Sequence, residues 1–260
     1  MSLLSTSQFD NFNSSRQYVF NVRDLPSLKI KASCPIGVFK GDADKIIVEI
    51  DADEETSKEF QVNQTGNTIN IVQKPQNFDG NVVIGTTVIS SGGQNIQVVN
   101  GRVYINGKEV TTDGSTGVPR SLPKVRITAP YSDLDATLAG DSLIVSTVPL
   151  KNTFLSLSGI AKADIPTYSL DLDISGSADI KALLGGGELN INVSGSSSID
   201  IQGCWTHTKI NLSGMGNVQT CGNCTGNYSV DASGMGAVNH VGTIAGFIRK
   251  SVSGMARINI

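Results

Sequence analysis

The chain has 260 residues, of which 39% are hydrophobic and 17% charged, and its formal net charge at pH 7 is −3. This composition is typical of a folded protein, and the charge excludes the basic surface that binds nucleic acid or anionic membranes. No stretch approaches the roughly 20 consecutive apolar residues that span a bilayer, so we expect no transmembrane segment.

The first segment, residues 1–16, is polar and rich in Ser and Asn. It lacks the basic region and the following apolar region that mark a secretory signal. We interpret it as an N-terminal arm or cap that covers the first part of the fold.

Residues 17–76 contain short runs in which apolar and polar side chains alternate, such as Tyr18-Val19-Phe20-Asn21-Val22. Alternation of period two predicts strands with one buried face. We interpret this segment as irregular first coils of a β-solenoid. Its acidic run, residues 51–55, lacks the Gly and the distal Glu of an EF-hand loop, which favours a solvated turn over a calcium site.

Residues 77–119 are rich in Gly and interrupt the pattern. Within them, Asn106-Gly107 separates two short β-type runs, residues 102–105 and 108–110, and this dipeptide is a strong tight-turn signal. The segment is therefore predicted to form a β-hairpin excursion. A strand at residues 124–128 then leads into the regular coils predicted for residues 120–260.

A repeated Ser-Gly pair organises the second half of the chain. Its Ser residues are separated by 17, 19, 19, 20 and 20 positions, and we interpret them as a structural ladder of turn residues. The ladder consists of Ser158, Ser175, Ser194, Ser213, Ser233 and Ser253. A constant period near 20 residues indicates a repeat architecture.

Apolar residues form columns when the repeats are aligned on these serines. One column lies five residues after the Ser and consists of Ala163, Ile180, Ile199, Val218, Val238 and Ile258. Others lie one and three residues before it, as in Ile191 and Val193 or Ile210 and Leu212. A unit of this size buries its apolar side only by stacking on a copy of itself. We therefore predict an all-β fold, a single-stranded parallel β-helix or β-solenoid with coils of about 20 residues and an inserted β-hairpin.

The coil with the clearest pattern is Leu172-Asp173-Ile174-Ser175-Gly176-Ser177-Ala178-Asp179-Ile180. Such coils, with the hairpin at residues 100–110, resemble the bacterial adhesins described as putative auto-transporter adhesin, head GIN domain. The resemblance implies a β-helical fold and a cell-surface or extracellular role, and it transfers no catalytic residue. Because residues 1–16 show no signal peptide, a cytoplasmic location is the alternative.

Four cysteines occur, and two of them, Cys204 and Cys224, are 20 residues apart, which is one coil. This spacing makes a disulfide between them one interpretation. Unpaired thiols in or near the core are the favoured alternative. A metal site at Cys221-Gly222-Asn223-Cys224 with His207 is a third, although it lacks a second pair of ligands.

No residue pattern indicates catalysis. The two histidines, His207 and His240, are not separated by whole coils, and the serines are explained as turn residues rather than nucleophiles. The acidic residues Asp171, Asp173, Asp179 and Asp200 could form a cluster of the kind found in β-helical lyases, but few basic residues accompany them. We therefore predict no enzyme activity, no catalytic residue, no cofactor and no metal.

Two features suggest contact surfaces. Met215, Met235 and Met255 recur directly after the Ser-Gly pair, and packing inside the coils is favoured over an exposed stripe. The last coil shows no capping segment, so Ile258 and Ile260 are predicted to form an edge for self-association. The favoured function is an adhesin-like or structural module that binds a protein, a glycan or itself. The alternatives are a self-assembling scaffold and, third, a carbohydrate-active enzyme.

Overall fold

The computed structural model describes residues 6–74 and 123–260, together with the backbone of five short strands between them. The chain divides into two compact units: one combines Met1–Lys74 with Leu122–Ile260, and the other is Pro75–Ser121. Strands make up most of the described residues in the first unit and all of them in the second. No helix in the described ranges is long and apolar enough to cross a membrane.

The N-terminal part of the first unit contains six strands and two single-turn helices. A 3-10 helix at Thr6–Phe9 precedes β1 (Arg16–Asn21), β2 (Ser27–Ala32), β3 (Ile36–Lys40), β4 (Lys45–Asp51), α1 (Glu54–Ser57), β5 (Phe60–Thr65) and β6 (Thr68–Gln73). β2 and β6 pair in parallel, as strands of successive coils do. However, β1 pairs antiparallel with β4, and β5 pairs antiparallel with β6.

The antiparallel pairing of β5 with β6 has a local cause. Only Gly66 and Asn67 separate β5 from β6, and such a short connection can join only antiparallel strands. Gly66 supplies the positive φ, +61°, that the tight turn requires. The first coils are therefore built from hairpin-like pairs as well as parallel strands.

The acidic run at residues 51–55 forms a capped helical turn. Asp53 is the N-cap of α1, and its Oδ1 accepts a hydrogen bond of 2.8 Å from the backbone N–H of Thr56. Thr56 and Ser57 are buried, while Glu54 lies outside and pairs with Lys58. The predicted solvated turn is thus a short helix with one buried side.

The residues described in the second unit form five short strands: β7 (Val83–Ile84), β8 (Thr87–Val88), β9 (Ile96–Val99), β10 (Arg102–Ile105) and β11 (Lys108–Val110). β10 pairs antiparallel with both β9 and β11. The pairing of Ile105 with Lys108 is that of the predicted hairpin, although its turn residues, Asn106 and Gly107, lie outside the described residues.

The regular coils consist of twelve further strands. They are β12 (Lys124–Ala129), β13 (Asp133–Ser146), β14 (Leu150–Ile174), β15 (Ser177–Gly185), β16 (Leu189–Val193), β17 (Ser196–Trp205), β18 (Thr208–Leu212), β19 (Met215–Cys224), β20 (Tyr228–Ala232), β21 (Ala237–Ile244), β22 (Ile248–Val252) and β23 (Arg257–Asn259). From β13 onward, each strand pairs in parallel with the equivalent strand of the next coil. The structure is a β-solenoid of about seven turns whose coils are about 19 residues apart, as predicted.

The predicted apolar columns are the columns of the core. Ile180, Ile199 and Val218 are register partners, and each is fully buried or nearly so. The same holds on the other wall for Ile191, Ile210 and Val230. Each coil thus covers the apolar side of its neighbour, which is the packing that a single coil could not provide alone.

The Ser-Gly ladder lies at one corner of the coils. A Cβ added to Gly214 would overlap the carbonyl oxygen of Gly195 in the preceding coil, so only Gly permits this close stacking. The Ser hydroxyls bridge the same step: Ser213 Oγ donates to the carbonyl oxygen of Val193 at 3.2 Å. Ser194 Oγ bonds Ile174 in the same way at 3.3 Å.

The two ends of the solenoid differ. At the N-terminal end, Phe9 of the arm is buried against the ring of Phe39, and Lys124 Nζ donates to the carbonyl oxygen of Gln8. The arm therefore contacts the first coils. At the other end, all five residues of β22 are exposed, including Ile248 and Val252, whose partners in β20 are buried core residues.

Candidate functional site

A groove of about 550 Å³ crosses the outer surface of one wall, and we call it the acidic groove. Its outward-facing polar and aromatic residues come from successive coils: Ser27, Asp133, Asp135, Asn152, Phe154, Ser169, Asp171, Glu188 and Asn190. Successive side chains of a strand point to opposite faces. Leu134, between Asp133 and Asp135, and Leu172, next to Asp171, are buried in the core, so their polar neighbours face outward.

The parallel register arranges these residues in two neighbouring columns. Asp135 pairs with Lys29 on one side and with Phe154 on the other. In the next coils, Asp171 pairs with Asn190. The spacing of parallel strands, roughly 4.8 Å, therefore separates successive polar groups along each column.

Hydrogen bonds fix several of these side chains. Asp133 Oδ1 accepts from both the backbone N–H and the side-chain Nδ2 of Asn152, at 3.1 and 2.9 Å. Ser169 Oγ donates to the carbonyl oxygen of Glu188 and accepts from its N–H, both at 3.1 Å. Lys29 forms an ion pair with Asp135 at 3.4 Å, which lies at the solvent-exposed edge. The groove thus has a partly ordered polar lining.

Asp171 is a groove carboxylate with a raised pKa. Burial raises its pKa above the usual range, and the negative charge of Asp173 raises it further. The ring of Phe154 is 39% exposed beside these acceptors. The groove therefore presents carboxylate and amide groups next to an apolar aromatic surface.

A second groove, about 690 Å³, follows the Ser-Gly corner. Its walls are Gly and Ser residues of the ladder, and Ile160, Met215 and Met235 flank it. Met215, Met235 and Met255 are 56%, 55% and 71% exposed, so the favoured prediction of internal packing was wrong. Met215 points outward because Val218, three positions later, occupies the inward column.

The acidic residues identified from the sequence do not form one cluster. Asp171 and Asp173 lie on β14 before the Ser-Gly corner, whereas Asp179 and Asp200 lie on β15 and β17 after it. Within the described ranges, no group of three or more His, Cys, Asp or Glu side chains is arranged to hold a metal ion.

The alternative of a disulfide between Cys204 and Cys224 is not present, and all four cysteines are free thiols. The local register is 19 residues, so Cys224 pairs with Trp205, and Cys204 pairs with Asn223. A shift of one residue places the two thiols on opposite sides of the strand: Cys204 is exposed and Cys224 is buried. Cys221 is also exposed, so it and Cys224 do not converge on a shared ligand. Burial raises the pKa of the Cys34 thiol to about 12.

Sequence reasoning missed Phe154, Asp133 and Asn152 as groove residues. Their signal was available in the coil spacing: Asp133 and Asn152 are 19 positions apart, and so are Asp135 and Phe154. The coil spacing that identifies the apolar columns therefore also identifies the outward columns between them.

Similar solved structures include a putative adhesin from Parabacteroides distasonis ATCC 8503, with 14% identity, a TM-score of 0.49 and coverage of 96% of this chain and 98% of that chain. Another, from Bacteroides fragilis NCTC 9343, has 13% identity and a TM-score of 0.47, covering 94% and 96%. No curated protein matches. The family described as putative auto-transporter adhesin, head GIN domain, matches residues 26–257, and the chain therefore belongs to this family.

Proposed function

We propose that this protein is a non-catalytic, adhesin-like β-solenoid that binds an extended glycan along the acidic groove. One observation carries the proposal: carboxylate and amide acceptors from successive coils lie beside the exposed ring of Phe154. A ligand of this class fits a cell-surface or extracellular location, which stays a prediction.

The chemistry of the groove matches that of a sugar chain. Hydroxyl groups of sugars donate hydrogen bonds, and carboxylate and amide oxygens accept them. The C–H face of a sugar ring is apolar and packs on an aromatic ring such as Phe154. Because the acceptors repeat along the columns, successive sugar units meet similar partners, which suits a repetitive ligand. The carboxylates favour neutral or cationic glycans over polyanions.

The corner groove is larger but supports glycan binding less well. Hydroxyls of its ladder, including those of Ser194 and Ser213, already donate to carbonyl oxygens of the preceding coil. Its remaining surface is formed by Gly and by the apolar side chains of Ile160, Met215 and Met235. Such a surface offers few unused polar groups to a sugar.

The test is calorimetric titration with oligosaccharides of neutral glucan, mannan and galactan, with polygalacturonate as the polyanion. We expect saturable binding of a neutral glycan that is weakened at least about tenfold by F154A and by D171N, since each removes a central contact. D179N is the matched control on the other wall and is expected to leave the affinity unchanged.

Three results would contradict this proposal. Unchanged affinity in both groove variants would remove the acidic groove as the site. Absence of binding across the panel would favour a protein ligand, and release of shortened oligosaccharides would favour the carbohydrate-active enzyme.

A second candidate function is self-association through the terminal edge. β22 and β23 have a strand partner on one side only in the described chain, and Ile248 and Val252 are 48% and 52% exposed. Ile258 lies in β23 and Ile260 directly follows that strand, and both are half-buried against the core. This edge could pair with a second copy. Light scattering over a hundredfold range of concentration tests it: a rising mass supports self-association, and a constant monomer mass contradicts it.

A further inference from the structure

The core changes character in the last coils, where an inward column passes from apolar to polar. Ile201 pairs with Thr220, and Thr220 pairs with His240. Ile201 and Thr220 are fully buried, and His240 is partly covered. A titratable ring thus stands at a position that earlier coils fill with an aliphatic side chain.

His240 belongs to a short hydrogen-bond chain inside the coils. Thr220 Oγ1 lies 3.0 Å from His240 Nδ1 and 2.7 Å from the Tyr228 hydroxyl, and it donates to the carbonyl oxygen of Asn239 at 3.3 Å. The second ring nitrogen of His240, Nε2, is buried and has no hydrogen-bond partner. Two aromatic rings contact the imidazole: Tyr228 at 5.1 Å and Trp205, edge-on, at 6.1 Å between ring centroids.

These surroundings suit the neutral imidazole and oppose the imidazolium. Protonation would add an N–H and a positive charge at Nε2, which has no hydrogen-bond partner, and an unpaired charge in a partly covered position is costly. Burial accordingly lowers the pKa of His240, although hydrogen bonds with Thr220 and Thr243 raise it in part.

The titratable groups near the ring do not compensate for this cost. Tyr228 is held neutral because burial raises its pKa to about 12, and Cys224 is a buried thiol next to it. In β22, Lys250 Nζ donates to the carbonyl oxygen of Ile260. Ile260 directly follows Asn259, which is the register partner of Asn239. Lowering the pH therefore gives none of these groups a negative charge that could pair with the imidazolium.

We propose that His240 makes the terminal coils, residues 237–260, pH-sensitive: they pack on the core while the imidazole is neutral and open when it is protonated. Opening would uncover the edge of β20 and its buried residues Tyr228 and Val230. The proposal is independent of glycan binding, because the acidic groove belongs to earlier coils.

The direction of the pH effect follows from proton linkage. The unfolded chain binds the proton with the ordinary pKa of about 6.5, and the folded chain binds it less well. The stabilisation is therefore complete above about pH 6.5 and decreases as the pH falls towards the lowered pKa of the folded state. Each unit of lowering corresponds to about a tenfold change in the opening equilibrium.

The chain provides its own probe, since Trp205 is the only tryptophan and lies against His240. Trp205 is only 1% exposed while the coils are packed, and opening would bring its indole into contact with water, so we expect its emission maximum to move to longer wavelength on titration from pH 8 to pH 4.5. Hydrogen exchange, corrected for its intrinsic pH dependence, should show at least about fivefold less protection of residues 237–260 at pH 4.5 than at pH 7.

The matched variants are H240Q and H207Q, which each remove one of the two histidines. H240Q should abolish both pH effects, and H207Q should leave them intact. Should H240Q fail to fold, H240F retains an aromatic ring without the titration. Equal protection at both pH values in the unmodified chain, or the same loss in the histidine-240 variants, would overturn the proposal.

Discussion

The two ends of the solenoid differ in how far their apolar interior is covered. At the N-terminal end, antiparallel pairs, the capped turn α1 and the ring of Phe9 cover the apolar interior. At the other end, the parallel pattern continues into β22, whose side chains face solvent. The comparison shows that the coil repeat specifies the interior of the stack, whereas covering an end requires residues outside the repeat.

The largest expected effect separates an interior coil from the terminal one. Ile210 is fully buried and Ile248 is 48% exposed, although both are inward positions of the same wall. We expect I210A to cost about 2–5 kcal/mol in the free energy of unfolding, because it leaves a cavity. I248A should cost less than about 0.5 kcal/mol. Urea denaturation followed by circular dichroism measures both, and similar losses would remove the distinction between interior and end.

A smaller effect is expected when the covered end is weakened. In D53A the N-cap of α1 is lost, together with the hydrogen bonds from the backbone N–H and the hydroxyl of Thr56. We expect a loss of about 1 kcal/mol, concentrated in residues 45–65. Hydrogen exchange locates it, with D53N as the control that retains a capping oxygen. A loss of protection spread evenly to β20 would mean that α1 does not act as a local cover.

The smallest effect on stability, and the sharpest test of the open end, concerns Lys250. This residue continues the buried column of Ile210 and Val230 with a charge, and inward charges at a sheet edge discourage strand pairing. We expect K250L to change the free energy of unfolding by less than about 0.5 kcal/mol while increasing the mass seen by light scattering at high concentration. K250R is the control, and equal masses for both variants would show that the charge does not restrain association.

The interior of the fold was predictable because the inward columns carry a strong periodic signal. The column from Ala163 to Ile258 was read residue by residue, and the structure confirms it. The ends were less predictable, since alternation shows that a residue lies in a strand but not whether its neighbour runs parallel. The direction of β5 depends on a two-residue connection to β6 that the repeat does not include, and β1 pairs antiparallel with β4 across two intervening strands.

Predicting the candidate sites from the sequence would have required a strand register that is correct to within one residue. The coil length is 19 residues from β17 to β19 and 20 from β19 to β21, and a length of 20 applied one coil too early places Cys204 opposite Cys224, whereas its partner is Asn223. A register of the same accuracy is needed to predict that the column of Met215, Met235 and Met255 faces outward. Phe154 and His240 could be placed only once both the register and the contacts were known.

The stacked corner glycines and their serines have a consequence for how the chain changes size. Because Val193 and Leu212 occupy the same position in successive coils, removing residues 194–212 would join Val193 to Ser213 with every side chain next to an equivalent neighbour. Removing an odd number of residues from within one strand would turn its inward side chains to the surface. Such a wall can therefore be shortened or extended in whole coils, in steps of roughly 4.8 Å, the spacing of neighbouring strands. Duplication of one coil would therefore lengthen the solenoid wall and leave the packing of its interior unchanged.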